Sequence, residues 1–269
     1  MSATAMSSGA VAHWFPGRPG TPTLLVLPAL GVVARHYQRF SEAAQAQGFH
    51  VLTLDYRGQG ASDLVISRGT RFGYADLVAG DLTEAITWAR GQGTGPLVLI
   101  GHSLGGQLAA ALESMSPGEF DGLALVAAGT PHWRAFTGRA RLVPLVLPTV
   151  FAGIAHAQGV FEGRRFGFGR QSAQLIEDWA RMARTGSWSE KPVALPDRSI
   201  PLLAISFGSD QLAPTSAVDA LVRFFPCATT TRAHFGEPSG HVGWLKQPDV
   251  VVDVLNRWVA EILAPEKRG

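Results

Sequence analysis

Apolar and polar positions alternate along this chain between short continuous apolar runs and stripes with helical spacing. Thr23 to Leu27 is a brief apolar run that reads as a buried strand. Arg35 to Gln47 then places Tyr37, Phe40 and Ala44 on one helical face, and Gly48 closes it. A β-rich run follows from His50 to Tyr56, and a glycine-containing loop covers Arg57 to Asp63. Tyr74 to Arg90 has helical periodicity through Leu77, Leu82, Ile86 and Ala89. Leu97 to Ile100 is again strand-like, and Gly105 to Met115 is an alanine-rich helix. Leu123 to Ala127 and Leu202 to Phe207 read as further buried strands. Helix Thr215 to Phe224, strand Ala228 to Ala233 and a closing helix from Asp249 to Leu263 complete the order. Continuous apolar strands separated by helices predict a mostly parallel central sheet covered by helices on both faces.

The rhythm fails between Thr130 and Ser199. That stretch has helical patches, eight Phe and Trp residues and several glycines, without clear apolar strand runs. It reads as a helical cap inserted into an α/β core, giving a core of residues 1–129 and 200–269 and an insertion of 130–199.

Composition narrows the picture. At 269 residues and 46% hydrophobic, the chain suits one large α/β domain with an insertion. A net charge of +2 is too small to imply a nucleic-acid partner. The charge is uneven, however: Pro131 to Ile200 holds ten Lys and Arg against five Asp and Glu, a surplus of five. This surplus suits a solvated face, an anionic group on a substrate, or a membrane surface. Cys227 is the single cysteine, so an intrachain disulfide and a multi-cysteine zinc site are excluded. No metal-binding motif is found and no metal is expected. The first ten residues lack the pattern of a signal peptide. The longest apolar run, Leu142 to Ala155, is shorter than a bilayer span and carries Pro144 and Pro148, so no integral membrane segment is expected. These readings make a cytoplasmic protein the default, and they leave its oligomeric state open.

The candidate chemistry sits where the Leu97 to Ile100 run meets the next helix. Gly101-His102-Ser103-Leu104-Gly105 is a G-x-S-x-G pattern in strand-to-helix context, which reads as a nucleophile elbow with Ser103 at its tip. A serine hydroxyl needs a base within hydrogen-bond reach, itself oriented by a carboxylate. Both follow in order. Asp210 lies just after the strand Leu202 to Phe207, and His241 lies in a glycine-flanked loop before the last helix. Asp210 also suits a turn former, and His234 is the main rival to His241 as base. A tetrahedral oxyanion would need fixed N–H donors. Leu104, at the helix N-terminus, is one; Pro28 has no N–H, so Ala29 or Leu30 supplies the other.

Pro28-Ala29-Leu30-Gly31, Phe49 to Ser62 and Gly101 to Gly106 (GHSLGG) resemble, in order and spacing, the α/β-hydrolase superfamily. The similarity is closest to its serine-hydrolase branch near serine aminopeptidase and monoacylglycerol-lipase-like sequences. Phe161 to Gly169 and Asp178 to Arg181 in the insertion are similar to that branch as well. The resemblance implies an α/β-hydrolase fold, Ser103 as nucleophile, Asp210 as acid, His241 as base, and Leu104 with Leu30 as oxyanion donors. The superfamily mostly has His-Gly where this chain has Pro28-Ala29, and homoserine acetyltransferases have a similar His-Ala-Leu. The reading is therefore a cofactor-independent serine hydrolase for a small-molecule ester, thioester or amide, with acyl transfer as the alternative. A binding module without activity would normally have lost a triad member. His102, Trp133, Arg164 and Arg165 are the candidates for touching substrate.

Overall fold

Strands that are apolar on both faces must be covered on both faces. The chain meets this condition with one twisted sheet. A computed structural model describes residues 2–93, 95–189, 197–237 and 240–263. Its main sheet has eight strands: β1 (Ser2–Ala5), β2 (Val11–Phe15), β3 (Thr23–Leu27), β4 (His50–Asp55), β5 (Leu97–His102), β6 (Gly122–Val126), β9 (Pro201–Phe207) and β10 (Thr229–Phe235). Their spatial order is β1-β2-β4-β3-β5-β6-β9-β10. The six strands from β4 to β10 in that order are parallel, while β2 runs antiparallel to both β1 and β4. Every residue of β3, β4, β5 and β6 is buried. Each Leu or Val so buried stabilises the fold by about 1.5–3 kcal/mol.

Helices α1 (Gln38–Ala46) and α8 (Asp249–Leu263) cover one face, where Tyr37, Phe40 and Ala44 meet Val251, Leu255 and Trp258. On the other face lie α3 (Thr83–Gln92), α4 (Leu104–Met115) and α7 (Thr215–Val222). The helix expected over Tyr74 to Arg90 is one continuous rod. It comprises a first turn, α2 (Tyr74–Asp76), a wider π-type stretch over Leu77–Leu82, and then α3. The wide turn presents the buried Asp81 carboxylate to Arg57, whose Nε and backbone N–H donate to it at 2.6 and 2.8 Å. Asp55 ties the same loop down by accepting from the amides of Ala34 and Ala61, at 2.7 and 3.0 Å.

Two departures from the sequence pattern stand out. β1 and β2 precede the first run that periodicity detects: β1 (SATA) has no large apolar residue, and in β2 (VAHWF) His13 interrupts the apolar run. The segment between β6 and β9 also contains a hairpin, β7 (Val160–Gly163) with β8 (Gly169–Ser172), besides its helices α5 (Leu142–Gln158) and α6 (Ala173–Thr185). Among the described residues, this segment contributes no strand to the main sheet, although residues 190–196 of the expected insertion lie outside them. α5 runs through Pro144 and Pro148, which the sequence treats as interruptions. Among the described residues, the helical stretch Gly138–Gln158 is long and apolar enough to cross a membrane by length and composition alone.

Candidate active site

β5 ends at His102 and α4 begins at Leu104, so one residue must reverse the chain. Ser103 does so at φ 51°, ψ −112°, a conformation that costs a non-glycine residue energy and persists only where its neighbours fix it. Two glycines make room for the turn. A Cβ on Gly101 would lie 2.6 Å from the Gly106 Cα, and one on Gly105 would collide with the Leu27 carbonyl. The turn leaves Ser103 facing a pocket of about 440 Å³ and puts the Leu104 N–H at the free N-terminus of α4.

Asp210 and His241 meet beside the same pocket. His241 Nδ1 lies 3.1 and 3.0 Å from the two Asp210 carboxylate oxygens. Asp210 is buried, and its Oδ1 also accepts from the amides of Leu212 and Ala213, both at 2.9 Å. Its turn-forming role and its contact with the imidazole therefore coincide. His241 and Ser103 line one pocket, without a hydrogen bond between them. His234, the rival, sits exposed on the edge strand β10, bonds the Ser206 hydroxyl at 2.9 Å and does not line the pocket.

The loop after β3 brings Ala29 and Leu30 to the pocket wall. The Ala29 N–H is already engaged, donating to the Tyr37 hydroxyl at 2.9 Å. Leu30 N–H makes no hydrogen bond among the described residues, which leaves it the donor available to a ligand. Gly31, at φ 73°, is required next, because a side chain there would strike the Phe168 backbone.

His102 corrects one expectation. It is fully buried, does not line the pocket, and uses both ring nitrogens internally. Nε2 faces the His241 carbonyl at 3.0 Å, and since a carbonyl only accepts, Nε2 carries the proton. Nδ1 then accepts from the Tyr37 hydroxyl at 2.7 Å. A single chain of hydrogen bonds thus runs from the Ala29 amide through Tyr37 and His102 to the backbone of His241. Trp244 packs edge-on against His102, ring centres 5.2 Å apart. Tyr37 is the residue that the sequence placed only on a helix face. Nothing in one sequence pairs it with residue 102.

Burial holds the His102 imidazole well below its ordinary value of 6.5, and nearby His241 adds to the effect. The unfolded chain then binds a proton near pH 6.5 that the folded chain refuses, so stability is lost as pH falls below 6.5. The loss is at most about 1.4 kcal/mol per pH unit. Thermal unfolding measured from pH 7.5 down to 5 will show a steeper fall for the native protein than for His102→Gln, and equal slopes would contradict the assignment. Burial likewise raises the Tyr37 hydroxyl, so it stays protonated as a donor. Tyr37→Phe leaves the Ala29 amide and His102 Nδ1 unpaired. It is expected to cost about 1–3 kcal/mol of stability and to lower kcat about 10- to 100-fold with KM little changed. Chemical denaturation and steady-state kinetics on one preparation check both.

The insert supplies the other walls: Phe136, Val143, Leu147, Phe166, Phe168 and Trp179. No Asp, Glu, Lys or Arg lines the pocket among the described residues. Arg164, Arg165 and Trp133, expected near substrate, are not among its walls; the two arginines are exposed to solvent, and Trp133 stacks under the Arg134 guanidinium at 5.2 Å. Among the described residues no group of three or more His, Cys, Asp or Glu is arranged to hold a metal ion.

A sequence model described as the alpha/beta hydrolase family matches residues 24–254. No curated protein matches the sequence significantly. Solved structures share the fold at low identity. An esterase from Exiguobacterium antarcticum is 18% identical with a TM-score of 0.63, covering 96% of this chain and 98% of its own. A meta-cleavage product hydrolase from Pseudomonas fluorescens is 18% identical with a TM-score of 0.62, over 97% and 98%. A soluble variant of monoglyceride lipase from Saccharomyces cerevisiae is 14% identical with a TM-score of 0.69, over 95% and 92%. With the family match spanning most of its length, and a mostly parallel eight-stranded sheet beneath the elbow, the chain belongs to the α/β-hydrolase family.

Proposed function

We propose that this protein is a cofactor-independent serine hydrolase that cleaves a neutral, apolar acyl compound, with an ester favoured over a thioester or amide. The observation that carries the reading is one pocket lined by Ser103, Leu104, Leu30 and His241, with the imidazole of His241 held from behind by Asp210. His241 Nε2 takes the Ser103 Oγ proton as Oγ bonds to the substrate carbonyl carbon. Catalytic hydrogen bonds often close only once substrate is bound, which fits the open Ser103–His241 pair. The carbonyl oxygen becomes an oxyanion facing the N–H groups of Leu104 and Leu30, each such donor stabilising it by about 2.7–4 kcal/mol. Collapse breaks the bond to the leaving group, which departs with the proton from His241. A water then repeats the sequence on the acyl-enzyme, releasing acid and regenerating Ser103.

The insert, residues 130–199, acts in this reading as a cap whose aromatic walls select the acyl group. Its lack of charge at the pocket favours a neutral chain over an anionic one, since an unpaired buried charge is costly. The ester class of hydrolases in this family includes structural neighbours named esterase and monoglyceride lipase, which supports the choice of bond. A panel of p-nitrophenyl esters of rising acyl length, run with and without added alcohols, tests the reading. Free acid as the main product, with medium acyl chains preferred over acetate, is expected. Acyl transfer to the alcohol as the main product would replace hydrolysis by the transferase alternative.

A further inference from the structure

Helix α5 buries one side and leaves the other unpartnered. Pro144, Pro148, Phe151 and Ala155 face inward, while Leu142, Val143, Val146, Leu147, Val150 and Ile154 are each 41–58% exposed. The exposed six recur at helical spacing and form one stripe. Phe166, also exposed, packs beside it on Phe151, ring centres 4.8 Å apart. This stripe runs into the pocket mouth, because Val143, Leu147 and Phe166 line the pocket, as do the exposed Leu212 and Val242 on the core side.

Basic residues frame it. Arg139 and Arg141 lie on the turn entering α5, Arg164 and Arg165 on the turn bearing Phe166, and Arg184 reaches Thr149 of α5 at 3.5 Å. Arg139, Arg164 and Arg165 form no ion pair among the described residues. An exposed apolar stripe with a cationic rim is the arrangement that binds anionic lipid surfaces. A second copy would bring two rims of like charge together, so that occupant is disfavoured. Spanning is disfavoured too: Gly138–Gln158 is long enough, but its first turn carries Arg139 and Arg141, charges that are costly inside a bilayer. Its inner face is also committed to α6 and Phe161.

We propose that the exposed face of α5, with Phe166, docks on an anionic lipid surface and opens the Ser103 pocket directly to acyl compounds dissolved in it. The docking stands by itself. The delivery rests on the serine-hydrolase reading above.

Co-sedimentation of the full chain with vesicles of phosphatidylcholine, or of phosphatidylcholine and phosphatidylglycerol at roughly 7:3, tests it. Expected is binding at least about 10-fold tighter to the anionic vesicles, weakening with salt. Val146→Glu with Val150→Glu, neither a pocket residue, should abolish it while hydrolysis of soluble p-nitrophenyl acetate stays unchanged. Arg139→Glu with Arg164→Glu should remove only the preference for anionic lipid. No binding to anionic vesicles, or binding that survives the Val146 and Val150 substitutions, would overturn the docking. So would a concentration-dependent dimer that the same substitutions abolish. Vesicle binding is run on Ser103→Ala as well: binding with no change in hydrolysis would sink the serine reading and leave the docking standing.

Discussion

His241→Ala should lower kcat toward a p-nitrophenyl ester by about 10⁴- to 10⁶-fold. Among the described residues His241 is the one ionisable side chain lining the Ser103 pocket, since His102 is buried with both nitrogens used and His234 lies on an edge strand outside it. His241 is partly exposed and its backbone carbonyl still accepts from His102 after truncation, so the fold should survive with a melting temperature close to native. Titrating activity against pH separates loss of a base from loss of structure: the variant should show only a residual rate that rises with hydroxide. Activity kept in His241→Ala and lost in His234→Ala would move the base to the earlier histidine.

The second large effect belongs to Asp210. Asp210→Asn should lower kcat by about 10⁴-fold while the protein stays folded. The amide keeps an oxygen for the Leu212 and Ala213 N–H groups, so the turn before α7 is retained. What is lost is the carboxylate that holds His241 Nδ1 protonated and balances the imidazolium as it forms. Asp210→Ala should lose the same activity and in addition about 1–2 kcal/mol of stability, because the Leu212 amide and the buried Ala213 amide lose their acceptor. If Asp210 were only a turn former, Asn would keep nearly full activity, and kinetics paired with denaturation on both variants decides between the roles.

The elbow was legible in the sequence because its requirement is local. Gly101 and Gly105 stand where neighbouring backbone leaves no room for a Cβ, and the strand and helix on either side are adjacent in the chain. The order of Asp210 and His241 was legible for a related reason: each follows a strand end, and parallel strands bring their carboxyl ends to one edge. The link through Tyr37 and His102 was not. It joins residues 29, 37, 102 and 241, and a buried polar chain of that reach is a property of the packed core. That Arg164 and Arg165 face solvent and not the pocket was not legible, because composition reports how many charges a segment carries, never which way they face. The β7–β8 hairpin escaped because four-residue strands between glycines have too little periodicity to detect.

Whether Ser103 is the covalent nucleophile is decided by labelling with a fluorophosphonate probe. Intact-mass and peptide mapping after labelling should find one adduct, on Ser103, formed at a rate that falls sharply in His241→Ala and Asp210→Asn. Ser103→Ala should take no label at all while unfolding at nearly the native temperature. A full adduct on Ser103→Ala, or one mapped to another residue in the native protein, would rule Ser103 out as the nucleophile.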